Sequence, residues 1–258
     1  MMKRPIHLLW GFAEVFIVFG LFQFFIWYIG PKIAGSVTLV AVSWLYWIML
    51  GFYVAWFSPI VLHGLSKKDI GWVSLADKSH FASAVNAWKP YVAVTSIGVL
   101  TLIGLTLSSN PAAFETINMK GLAIKGGGYI FSGIIQATIF FGFILIRFKA
   151  AIGSLIQEKS PAAVMLSTIL LTSIVFSVFH YPNPELMFFT FSAGLCWSLL
   201  FYLYPNILLM GLSHAILGTM LHQFVQLYMR IGPFYDNPDL YIVREIVPGL
   251  KQLIGNLF

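Results

Sequence analysis

Read for hydrophobic and polar positions, the chain is a succession of long apolar runs separated by short polar ones. A helix that crosses a bilayer needs about 20 mostly apolar residues. Seven stretches qualify, at roughly 8–29, 38–62, 91–107, 128–146, 162–180, 186–204 and 206–228. The third is short, and Pro205 leaves only a tight connection between the sixth and the seventh. The expected fold is all-α: a polytopic membrane protein of about seven transmembrane helices, within a range of six to eight. Residues 1–230 form a single transmembrane helical domain, and 231–258 form an extramembrane tail. In that tail Leu250, Leu253, Ile254 and Leu257 recur at helical spacing, which predicts a short interfacial C-terminal helix or a docking surface for another membrane subunit. The first run follows Lys3 and Arg4 but reaches Pro31 without a small-residue cleavage site, so it is read as a retained helix.

Composition sharpens this picture. Hydrophobic residues make up 59% of the 258 positions and charged residues 9%, against about 25% charged in soluble proteins. Mean hydropathy is +0.86. The net charge of +6 comes from 15 scattered basic residues, a topological pattern with no nucleic-acid footprint. With a cytoplasmic N-terminus, the inside segments hold Lys3, Arg4, Lys67, Lys68, Lys78, Lys89, Arg147, Lys149 and Lys159 against six basic residues outside, a modest positive-inside bias. The 63–90 segment predicts a membrane-surface loop, with Trp72, Phe81 and Trp88 at headgroup level and lysines meeting anionic lipid. Gly126-Gly127-Gly128 predicts a flexible entry into the fourth helix. Cys196, the only cysteine, excludes an intramolecular disulfide and reads as a buried, inert thiol. Glu14, inside the first helix, reads as an interfacial or structural carboxylate, with a functional site as the alternative.

Candidate chemistry concentrates between Ser173 and His222. Phe176-Ser-Val-Phe-His180 and His214-Ala-Ile-Leu-Gly218 each place a histidine in an apolar stretch, where an ionisable residue faces protein or a polar cavity. His214 and Gly218 share a helix face one turn apart. His222 is rotated by roughly 80° from His214 and suits no shared metal ion. Ser173 and Ser177 line the same region of the fifth run. An intramembrane hydrolase requires a water, a base and donors for the oxyanion; the bland alternative is polar residues that hold helices together.

In order and helix context these residues resemble the CPBP family of CAAX-protease and bacteriocin-processing intramembrane enzymes. That family's pattern is Glu-Glu-x-x-x-Arg-Gly, then Phe-x-x-x-His, then His-x-x-x-Asn or His-x-x-x-Asp. Phe176 and His180 match the second part, and His214 matches the third, with Gly218 at the Asn/Asp position. Phe191-Ser-Ala-Gly194-Leu-Cys-Trp197 also resembles the family's glycine-containing sixth-helix region. The first part departs: Gln136-Ala137 stands at the paired glutamates and Phe141, before Gly142, at the arginine. The resemblance covers about 125–225 and implies a CPBP-like bundle with His180, His214 and Gln136 at the catalytic positions. Ser132, Phe176, Ser177 and Gly218 would line the cavity.

Glutamine is isosteric with glutamate but takes up no proton near neutral pH, and loss of a general base costs about 10²–10⁴ in rate. The expectation therefore leans away from an enzyme. It favours a proteolytically inactive member acting as scaffold, accessory subunit or assembly factor of a membrane complex, or holding a hydrophobic peptide or lipid in the old cavity. Two alternatives stay open. One is an active intramembrane protease or metalloenzyme with a rearranged site, drawing on Glu185 or Glu14. The other is a haem- or pigment-binding protein. No cofactor and no metal site is predicted, although the histidines leave haem or metal open. The expected partners are the bilayer and other membrane subunits, with no nucleic acid. The expected location is the bacterial cytoplasmic membrane.

Overall fold

In the computed structural model, described for residues 8–33, 37–72, 85–115, 117, 119–156 and 160–236, the apolar runs are helices and no strand occurs among the described residues. The helices are α1 (Leu8–Phe24), α2 (Val37–Phe52), α3 (Trp88–Ser109), α4 (Met119–Gln136), α5 (Ile146–Ile156), α6 (Pro161–Val178), α7 (Pro184–Leu203) and α8 (Ile207–Gln223). Wider π-type turns extend α1 through Phe25–Ile29 and α2 through Tyr53–Leu62, and join α4 to α5 through Ala137–Leu145. Six stretches have the length and apolarity to cross a membrane, and Ile207–Gln223 is a shorter apolar helix. This is an all-α integral membrane protein. The predicted interfacial helix at 250–258, and Lys78, Phe81 and Lys159, lie outside the described residues.

Local sequence explains the ends. Ser160, Asn183 and Asn206 cap α6, α7 and α8, each accepting a hydrogen bond from a backbone N–H three residues on. Pro161 and Pro184 follow their caps at the first helical position, where a missing N–H costs nothing. Asn183 also donates from Nδ2 to the carbonyls of Tyr228 (2.6 Å) and Arg230 (3.2 Å), so the α6–α7 turn is tied to the segment after α8.

Three expectations are corrected. The glycine triplet lies inside α4, which begins at Met119 and pairs extensively with α8. Arg147 lies in no loop. The helix runs to Ile156, and its 32-residue apolar stretch from Lys125 measures about 48 Å, well beyond the hydrocarbon core. Arg147 is thereby fully buried, and the positive-inside count loses one member. Cys196 is exposed, because Gly194 and Trp197 take the core-facing side of α7. The seventh run also ends five residues early, at Gln223.

The core gathers around the π-type segment Ala137–Leu145, buried at all nine positions. Phe140 and Phe141 pack there against Phe176, Phe179, Trp197 and Phe201. The most extensive helix pairings are α4 with α8 and α6 with α7.

Candidate functional site

Two glycines set the geometry. A Cβ on Gly133 of α4 would lie 2.5 Å from the Gly211 carbonyl oxygen of α8, and one on Gly211 would lie 2.7–2.9 Å from Ile134. Only glycine allows this approach, the small-residue contact that brings membrane helices together. It sets the His214 ring against α4, with Nδ1 3.0 Å from the Cβ that Gly133 lacks. Gln136 follows three residues after Gly133 on neighbouring helix surface. Gln136 Oε1 and His214 Nδ1 are both buried and have no hydrogen-bond partner among the described residues.

His180 reaches the same region from the end of α6. Its Nδ1 donates to the Phe176 carbonyl at 2.8 Å, which leaves Nε2 as the acceptor of the neutral ring. The buried Phe176 ring bridges the two histidines, with its centroid 5.2 Å from that of His180 and 6.2 Å from that of His214. Trp197 closes the box, 5.2 Å from His214, and donates from Nε1 to Ser213 Oγ at 2.9 Å. Ser213 in turn shares a 2.7 Å hydrogen bond with Thr95 of α3. Phe176, Trp197, His180 and His214 thus fall around one aromatic-walled, buried region, and Gln136 makes no hydrogen bond to either histidine.

The other expected residues have partners of their own. Ser132 donates to the Tyr129 carbonyl at 3.3 Å, and Ser177 to the Met187 carbonyl at 2.8 Å, pinning α6 to α7. Gly218 abuts Tyr129, whose ring carbons would lie 3.3–3.4 Å from a Cβ at this position. The Tyr129 hydroxyl pairs with His222 Nδ1 at 3.0 Å. Glu185 is exposed in the first turn of α7, where a carboxylate complements the helix dipole. Among the described residues no carboxylate hydrogen-bonds His180 or His214, and no group of three His, Cys, Asp or Glu side chains is placed to hold a metal ion.

The buried carboxylate lies elsewhere. Glu14 Oε2 accepts from Arg147 Nε at 2.7 Å and pairs with His63 Nε2 at 3.2 Å. Its Oε1 accepts from the Tyr53 hydroxyl at 2.8 Å and from Ser58, which itself accepts from Arg147 Nη2. Arg147 also covers the Phe143 ring at 4.9 Å. Sequence reasoning singled out Glu14 but missed Tyr53, Ser58, His63 and Arg147 as its companions. The signal was present: a carboxylate within a span demands a cation, and Arg147 directly follows the apolar run at 128–146 with no turn residue between.

Residues 119–220 match the family model described as Rce1-like, type II CAAX prenyl endopeptidase Rce1-like. The match runs from α4 into α8 and includes Gln136, His180, His214 and Gly218, so the resemblance drawn from the motifs is borne out over this segment. Over this segment the chain is similar to CAAX-protease-like membrane proteins, and its long apolar helices are those of an integral membrane protein. No curated protein and no solved structure matches the chain.

Proposed function

We propose that this CAAX-protease-like protein works by binding and without hydrolysis, as a scaffold, accessory subunit or assembly factor of a membrane complex. One observation carries the reading. No carboxylate hydrogen-bonds His180 or His214 among the described residues, and the single buried carboxylate among them, Glu14, is held by Arg147. Arg147 lies eleven residues beyond Gln136, roughly 15 Å along the helix, so Glu14 does not serve the histidines. Gln136 Oε1 and His214 Nδ1 keep unused hydrogen-bonding capacity, which suits a polar group of a bound hydrophobic peptide or lipid.

The test is cleavage of a prenylated CAAX-type peptide by protein reconstituted in vesicles, together with mass spectrometry of what co-purifies in mild detergent. We expect no cleavage above blank from the wild type or from His180→Ala, and membrane partners at fixed stoichiometry. Cleavage by the wild type that disappears in His180→Ala overturns the proposal and establishes a rearranged hydrolase.

A further inference from the structure

A second site lies on the other side of the Glu14 cluster and owes nothing to the reading above. A cavity of about 670 Å³ runs between α1 and α2, lined by Trp10, Glu14, Leu21, Tyr46, Met49 and Phe57 among others. The two helices are antiparallel: Tyr53 meets Glu14 near one end of the groove, and Tyr46 donates to the Leu21 carbonyl at 2.6 Å at the other. From Trp10 to Leu21 the groove follows eleven residues of α1, about 16 Å, which is close to half of the ~30 Å hydrocarbon core. It therefore has the depth of one leaflet. Its rim, with Trp10, Ile17 and Met49, is exposed, so a lipid can enter sideways.

Charge specifies the occupant. At the Trp10–Phe57 end the chain leaves the membrane through the turn at 63–72. There the Lys67 ammonium sits 5.5 Å above the Trp56 ring, next in sequence to the groove-lining Phe57. Lys67 and Lys68 are exposed, and neither has an acidic partner among the described residues; Asp69 is engaged with Ser66. Inside the groove Glu14 is neutralised by Arg147, and both its oxygens already accept two bonds. A leaflet-deep apolar groove with cations at its mouth suits an amphiphile bearing negative charge. We propose that the α1–α2 groove is a specific site for an anionic glycerophospholipid, with an acyl chain along α1 and the phosphate at Lys67 and Lys68.

The experiment is native mass spectrometry of lipids retained by the full chain after reconstitution with equal phosphatidylglycerol and phosphatidylcholine and extraction into mild detergent. Three proteins are compared: wild type, Lys67→Glu/Lys68→Glu, and Met49→Trp, which fills the groove from an exposed position. Unfolding midpoints confirm that each is folded. We expect one phosphatidylglycerol per chain retained about tenfold over phosphatidylcholine, near-equal retention of the two lipids after charge reversal, and loss of the bound lipid in Met49→Trp. Equal retention of the two lipids by the wild type overturns the proposal, as does undiminished phosphatidylglycerol retention in either variant.

Discussion

Replacing Glu14 by Gln removes one charge and almost no volume, so it isolates what the carboxylate does for Arg147. Glu14 receives four contacts, from Tyr53, Ser58, His63 and Arg147. Interhelical hydrogen bonds in lipid average about 0.6 kcal/mol each, and a glutamine oxygen keeps the acceptor for Tyr53 and Ser58. Lost hydrogen bonding then amounts to about 1 kcal/mol. The larger effect is the guanidinium. The Arg147 side chain is 0% exposed and its carboxylate partner 3%, and removing one partner of a buried ion pair costs about 3–5 kcal/mol because the other charge is left uncompensated. We therefore expect Glu14→Gln to destabilise by about 3–5 kcal/mol in SDS-titration unfolding from mixed micelles. The double variant Glu14→Leu/Arg147→Met, which removes both charges, should recover to within about 2 kcal/mol of wild type. A Glu14→Gln protein within 1 kcal/mol of wild type refutes the argument, as does a double variant no more stable than the single.

The α4–α8 crossing supplies a second prediction: Gly133→Ala forces its methyl against the Gly211 carbonyl and should cost about 1–3 kcal/mol by the same unfolding measurement. Gly104→Ala, with nothing within 4 Å of the added Cβ, should be neutral or slightly stabilising. In the histidine region, Ser213→Ala removes the acceptor of Trp197 Nε1 and should destabilise by about 1–3 kcal/mol. His214→Leu discards a buried nitrogen that has no protein partner and should stay within about 1 kcal/mol of wild type; a larger loss for His214→Leu than for Ser213→Ala would show that His214 is satisfied by a tightly held ligand.

Helix existence was legible because bilayer thickness imposes a length on every apolar run. Which face of a helix is buried was not. Lipid tails and protein core are equally apolar, so hydropathy could not distinguish the exposed Cys196 from the buried Trp197 one residue on. The Gly126–Gly128 triplet misled because glycine disfavours helix in water, yet the helix runs through it from Met119. At the candidate site, His180 and His214 were recognisable by motif, and the structure sets both beside Phe176. The hydrogen bond of His222 to Tyr129 crosses 93 residues of sequence, and no periodicity within either helix could reveal it.

The bond between Glu14 and Arg147 also bears on how the protein is made. Arg147 lies within the stretch that carries the family match, yet its counter-ion is 133 positions earlier, outside that stretch. An unpaired arginine within a span opposes insertion of a nascent helix, by up to about 2.5–3.5 kcal/mol at the centre of the span. Because translation proceeds from the N-terminus, α1 and α2 are already in the bilayer, with Glu14 waiting, when the arginine arrives. The leading hairpin thus supplies the counter-ion of a later span, and a polypeptide of residues 119–220 alone would lack the anion that Arg147 pairs with.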